Sequence, residues 1–324
     1  MRILVTGANG FVGSHIVEEL LEQGHQVVSL VRKTSDCKWI CSLNIEFAYG
    51  DVTMPSTLIE PVRKVDAIIH NAGVLRALKP ESYYLVNQEG TKNLVDTILA
   101  VNPKLKKLVY ISTQAAMGPS QNLCPKFLSE PENPVSDYGR SKLKGEQEVK
   151  QLTGKVPFTI LRPASVYGPR DKDIFIFFDL VAHHLRPLPT SKRYIQLTFV
   201  KDLAKAALTS ITNSSADNRT FFLAEDPFYS WDEVGEIIAR ETGLKTIPLL
   251  LPDFIFRAAG ILGELVSRLF GKPAVINRQK VEEMLQKFWI ADTTPAKKDL
   301  GADFTKFKNG AKITYSWYKD NNWL

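Results

Sequence analysis

The sequence predicts an α/β fold: a doubly wound parallel sheet followed by a smaller, mostly helical C-terminal part. Three observations carry that expectation. Short, continuously apolar runs such as Ile3-Leu4-Val5 recur through the first 170 residues, as strands buried on both faces of a parallel sheet require. Segments of helical apolar spacing alternate with them, which implies right-handed parallel crossovers. After Pro169 the alternation loosens and helical spacing dominates.

Ile3-Leu4-Val5 is the first strand. Phe11, Ile16, Val17, Leu20 and Leu21 then form an apolar stripe at helical spacing, and Gly24 ends that helix. Further strands are expected at 26–31, 45–49, 67–69, 108–111 and 158–161. Beyond Pro169, residues 174–186, 202–212, 231–242, 253–270 and 277–288 have helical patterns, with short strands near 195–200 and 220–223. No Gly/Ser-rich linker separates the two parts, and no internal repeat is visible.

The 324 residues carry 44% hydrophobic and 23% charged side chains, an ordinary globular composition that argues against disorder. The formal charge is +6 and the isoelectric point about 9.0. Lys104, Lys106 and Lys107 form the densest basic group and read as a solvated face. No basic helix with interleaved aromatics is present, so nucleic acid is not an expected partner. Cys37, Cys41 and Cys124 have no disulfide or zinc-site spacing, which points to a reducing compartment and no metal. His183-His184 lack ligand spacing too. The first apolar run stops at Thr6-Gly7, unlike a signal peptide, and no stretch reaches the roughly 18 apolar residues of a membrane span. The expected address is the cytoplasm.

Thr6-Gly7-Ala8-Asn9-Gly10-Phe11-Val12-Gly13 directly follows the first strand and opens the first helix. Gly7 suits a tight turn, Gly10 leaves no side chain in the path of a pyrophosphate, and Gly13 lets the helix approach the sheet. The helix N-terminus adds free N–H groups and a partial positive charge. A dinucleotide-binding Rossmann domain is therefore expected at 1–170, with 171–324 mostly substrate-binding and some later segments returning to the sheet. Where an NAD site carries Asp or Glu at the end of the second strand, this chain has Arg32. A guanidinium pairs with a 2′-phosphate, so NADP(H) is favoured and NAD(H) is the alternative. Asp51, before Val52, either accepts a hydrogen bond from the adenine amino group or caps a turn.

Tyr138 and Lys142 lie four residues apart, on one face of a helix. A free phenol ionises near pH 10, too high for a base at neutral pH. An adjacent ammonium and an oxidised nicotinamide would favour the phenolate. Glu146 lies one turn further on and could position Lys142. Ser112-Thr113 closes a strand at the C-terminal sheet edge, where a hydroxyl could hold a substrate oxygen or cap the next segment.

With these motifs, the chain resembles the extended short-chain dehydrogenase/reductases, the NAD-dependent epimerase/dehydratase family. The matching residues run in family order through Asp51-Val52, His70 to Gly73, Asn87 with Gly90-Thr91, Ser112-Thr113, Tyr138 to Lys142, Leu161-Arg162-Pro163, Val166 to Asp171 and Phe199 to Asp202. The resemblance implies that Tyr138 moves the proton, that Lys142 tunes it and binds a ribose, and that Thr113 orients the substrate. It also implies a cofactor site in which Ala72, Gly73 and Asn87 lie by the ribose. Pro163, Ala164, Ser165 and Val166 would lie by the nicotinamide amide, completing the set of Gly7, Asn9, Gly10, Phe11, Val12, Gly13, Arg32, Asp51 and Val52. A homodimer through the helices around Asn87 and Tyr138 is a further family expectation.

Three functions follow from this pattern. The first is an NADP(H)-dependent oxidoreductase that interconverts a secondary alcohol and a carbonyl on a small, apolar substrate. The second is a nucleotide-sugar epimerase or dehydratase with tightly bound NAD. Against it, Pro163-Ala164-Ser165 and Ile195 to Thr198 lack the Asn and Arg such enzymes commonly carry, and Arg193 is out of register. The third, a non-catalytic NADP(H) sensor, has no need for Thr113, Tyr138 and Lys142 together. Segment 253–270 has a narrow polar stripe of Asp253, Arg257, Glu264 and Arg268 on an otherwise apolar helix. A core helix, a substrate wall and loose membrane association all remain open for it. Ile174 to Phe178 either wall an apolar pocket or fill a core.

Overall fold

A computed structural model describes residues 1–324. Its centre is a seven-stranded, wholly parallel sheet. In chain order the strands are β1 (Arg2–Thr6), β2 (Gln26–Val31), β3 (Glu46–Tyr49), β4 (Ala67–His70), β5 (Lys107–Ile111), β6 (Phe158–Pro163) and β7 (Arg219–Leu223). The spatial order is β7-β6-β5-β4-β1-β2-β3. Strand order reverses between β1 and β4, and that switch point opens a crevice at the C-terminal sheet edge.

Both sheet faces are covered, as the continuous apolar runs require. Ile3 and Val5 point to one side, where Ile16, Val17 and Leu20 of the Phe11–Glu22 helix meet Leu203 and Ala207 of the Val200–Thr212 helix. Leu4 points to the other, among Leu94, Ile98 and Val149. A third cluster, including Phe178, Trp231, Ile238, Phe307 and Tyr318, forms the core of the C-terminal part.

Four local expectations change. The helix expected at 174–186 covers only Phe175–Ala182. Leu185–Pro189 instead pairs in parallel with Ile247–Leu251, because Pro187 and Pro189 cannot donate to a helix ladder. The helix expected at 277–288 stops at Met284, and Phe288–Trp289 pairs with Tyr194–Ile195. Lys107 is not on a solvated face: it begins a central strand, is buried and pairs with Asp217. Finally, the Asp253–Phe270 helix is not a core helix, since it buries only Gly260 and Ser267. No helix is long and apolar enough to cross a membrane.

Candidate active site

β1 delivers the chain to Gly7, whose φ of 65° lies in the left-handed region. A Cβ there would sit 2.9 Å from the Ala72 backbone, and one on Gly13 would sit 2.0 Å from the Gly7 carbonyl oxygen. Gly13 thus lets the helix close onto the turn, while a Cβ on Gly10 would meet only one atom, at 3.4 Å. The Thr6 hydroxyl accepts the Asn71 and Ala72 N–H groups at 3.2 and 3.0 Å and bonds His70 Nδ1 at 2.7 Å. These bonds join the ends of β1 and β4 across the switch point. Burial, assisted by the Lys142 charge, drives the His70 pKa down to about 3, so the ring stays neutral.

A groove of about 860 Å³ starts at this crevice. Its walls include Gly7, Asn9, Gly10, Phe11, Val12, Arg32, Asp51, Val52, Ala72 and Gly73. At one end Arg32 is exposed beside Ser35 and Lys38, two residues the sequence reading did not single out. Asp51 lines the groove and also caps a turn, as its Oδ1 accepts from the Thr53 amide and hydroxyl at 2.9 and 2.8 Å. Asn87 is off the wall. It is fully buried behind the loop, accepting from the Val74 amide at 2.8 Å and donating to the Val74 carbonyl and the Ser141 hydroxyl at 3.1 and 2.9 Å. Gly13 likewise supports the groove from beneath. The left-handed turn, the side-chain-free Gly10, the helix N-terminus and the cationic end together fit a dinucleotide.

Phe11, Val12, Asn71 and Gly73 are shared with a second cavity of about 280 Å³. Thr113, Tyr138, Lys142 and Pro163 through Val166 all line this cavity. Its other walls are largely apolar and include Ile174, Phe177, Ile195, Trp231, Met284 and Trp289. Thr113 lines the cavity, and its hydroxyl accepts the Ala115 amide at 3.2 Å to cap a short helical turn.

Tyr138 and Lys142 sit one turn apart on the Asp137–Lys150 helix, which is capped by Ser136 Oγ accepting the Gly139 amide at 3.0 Å. Lys142 Nζ donates to the Ile111 carbonyl at 2.7 Å and lies 4.1 Å from the Tyr110 ring centre. Burial lowers its pKa to about 7, against the pull of Glu146. The Tyr138 phenol moves upward, first through burial and then through the Glu283 charge, while Thr113 acts the other way. The sequence led us to expect Lys142 and an oxidised nicotinamide together to acidify that phenol. Burial and Glu283 favour the protonated phenol, and the ammonium is directed at the Ile111 carbonyl.

Glu146 does not grip Lys142. It is completely buried, binds Arg162 through both oxygens at 2.9 and 2.6 Å, and accepts the Ser112 hydroxyl at 2.5 Å. Asp171 lines both groove and cavity, and burial raises its carboxyl pKa to about 7 although the Ile174 amide donates to it at 2.8 Å. Arg193 contributes nothing to the cavity. Its buried guanidinium bonds the Leu285 carbonyl at 3.0 Å, Ser191 at 2.7 and 2.8 Å, and Asp253 at 2.6 Å. Sequence reading missed Glu283, Lys280, Met284 and Trp289, which reach the cavity from near the C-terminus. No local pattern marks them.

Residues 3–224 match the model of the NAD dependent epimerase/dehydratase family. A ceramide reductase of Caulobacter vibrioides is 26% identical over 323 residues, covering 99% of this chain and 96% of the relative. A UDP-glucose 4-epimerase of Vibrio cholerae is 26% identical over 289 residues, covering 85% and 84%. The crystal structure of UDP-glucose 4-epimerase from Thermotoga maritima with UDP-glucose superposes with a TM-score of 0.81 at 21% identity, covering 99% of this chain and 100% of that one. At that identity the likeness is one of fold.

Proposed function

The chain belongs to the NAD-dependent epimerase/dehydratase family, and from that premise we propose that it is an NADP(H)-dependent reductase of an apolar carbonyl compound. The glycine turn and helix N-terminus hold the pyrophosphate, and Arg32, with Ser35 and Lys38, takes the 2′-phosphate. When bound, the dinucleotide supplies two-electron redox chemistry at its nicotinamide ring. Tyr138 gives its phenolic proton to the substrate oxygen during reduction. Its raised pKa keeps that proton in place at neutral pH, which suits a donor. Thr113 orients the same oxygen. Lys142, with a pKa near 7, can hold or release a proton at Nζ beside the phenol-bearing turn.

The observation that carries this reading is the composition of the cavity. It is walled mainly by apolar side chains and contains no guanidinium, and Arg193 is fully engaged elsewhere. A nucleotide-sugar diphosphate would find no arginine there, whereas an alkyl or ring system would bury well. The three free cysteines support a cytoplasmic, reducing setting.

The test offers purified protein a panel of apolar ketones and nucleotide-sugars. We expect NADPH consumption with the ketones, lowered on the order of 10²–10⁴-fold by Tyr138→Phe. Inversion of a sugar without net cofactor turnover would replace this reading with an epimerase, and an unaffected Tyr138→Phe variant would remove the mechanism.

A further inference from the structure

We propose that the Ile247–Leu251 strand and the Asp253–Phe270 helix form a docking element for an anionic lipid surface. Both elements are on the outside of the molecule. Ile247, Leu249 and Leu250 of the strand are exposed, as is Leu185 on the strand it pairs with. On the helix, exposure reaches 68% for Phe254, 62% for Leu262, 82% for Leu269 and 76% for Phe270.

Helical geometry organises these residues. At about 100° per residue, the positions from Ile261 through Phe254, Leu265, Leu269, Leu262, Ile255 and Val266 to Phe270 sweep about half the helix circumference without a polar side chain. The face turned inward carries the half-buried Phe256 among small residues: Gly260 and Gly263 come so close to the segment 276–278 that a Cβ would lie 3.2 Å and 2.1 Å from backbone oxygens of Asn277 and Ile276. The helix is thus anchored by its glycines and Phe256 and presents most of its bulky residues to solvent, the reverse of a surface helix packed on a core. Soluble monomers rarely leave an apolar face of this kind uncovered.

Charge selects the occupant. Along the polar stripe, Asp253 pairs with Arg193, Arg257 with Glu282, and Glu264 with Arg278. Arg268 and Lys272, at the helix end, and Lys245, just before the strand, are exposed and have no acidic partner. An apolar face rimmed by uncompensated cations matches an anionic interface, where side chains sink to the acyl boundary and cations meet headgroups. A second copy of this chain would bring the same unpaired cations to its rim. The patch also continues toward the substrate cavity: Val275, five residues beyond the helix, is 45% exposed and lines the cavity with Ile276. The docking inference stands on the surface itself and does not depend on the reductase reading.

The full-length protein is floated with vesicles of phosphatidylcholine, with and without phosphatidylglycerol. The wild type is expected to rise with the anionic vesicles. Leu262→Glu with Leu269→Glu lowers the bound fraction at least about tenfold, with an unchanged melting temperature because both side chains already face water. Arg268→Ala and Lys272→Ala each weaken binding to anionic vesicles about fivefold and leave any binding to pure phosphatidylcholine alone. A wild type that stays unbound, or a double-glutamate variant that floats equally well, overturns the proposal. So does a wild-type dimer in light scattering that the double-glutamate variant splits, which assigns the face to a second copy.

Discussion

Glu283 accepts a hydrogen bond from the hydroxyl of Ser136, the residue that caps the helix bearing Tyr138 and Lys142. The two residues are 147 positions apart. The contact ties the C-terminal part to the start of the reactive helix and sets a carboxylate near the phenol, where its charge raises the Tyr138 pKa. It also closes one side of the substrate cavity, which Glu283 lines.

Glu283→Gln keeps an acceptor for Ser136 and removes the charge. The phenol should then ionise at lower pH. In the direction of alcohol oxidation, which needs the phenolate, the rising limb of the pH–rate profile should move to lower pH while the melting temperature holds. An unmoved limb would show that the carboxylate's field does not act on Tyr138.

Arg32→Ala should weaken NADPH binding by about 10- to 100-fold, the equivalent of a lost charge-assisted hydrogen bond of about 1.5–3 kcal/mol, and leave NADH nearly unchanged. Fluorescence titration with both cofactors checks this. Tighter binding of NADH than NADPH by the wild type would refute the role given to Arg32.

Glu146→Ala leaves the Arg162 guanidinium buried without its bidentate partner. The cost should be about 3–5 kcal/mol in urea unfolding. A loss under 1 kcal/mol would mean that Glu132, 3.4 Å from Arg162, or entering water compensates.

Gly13→Ala drives a methyl group into the Gly7 carbonyl, 2.0 Å away, against backbone that cannot rotate aside. We expect destabilisation of about 1–3 kcal/mol or more together with weakened cofactor binding, measured by melting with and without dinucleotide. Normal binding in a variant of normal stability would show that the helix can shift without opening the turn.

Asp171 has a folded-state pKa of about 7 against an ordinary carboxyl value of 3.8. Between those values the native state binds more protons than the unfolded chain, so this group's contribution to stability is full at acid pH and is lost as pH rises through 7. Asp171→Asn removes that dependence. The stability difference, wild type minus variant, should therefore fall from pH 4 to pH 8 in denaturant titrations; a flat difference would indicate an unshifted carboxyl.

Much of the fold was legible because its signals are local. β1, the glycine turn and the first helix are specified within the first 22 residues by apolar runs, a left-handed glycine and helical spacing. Tyr138 and Lys142 were readable because a single helix turn sets their relation. The Asp253–Phe270 stripe was equally visible, but which side of that helix meets protein was not. Glycines at 260 and 263 turned inward with Phe256 and left most of the large side chains outside.

Sequence alone thus determined the strand–helix alternation, the phosphate-binding turn and the phenol–ammonium pair, since each depends on neighbours a few residues apart. Tertiary structure decided how those groups are tuned: Lys142 onto Ile111, Glu146 onto Arg162, Glu283 onto Ser136, and Trp231 and Trp289 around one apolar cavity. Desolvation and charge act through space, and only the folded chain brings residues more than a hundred positions apart close enough for either to count.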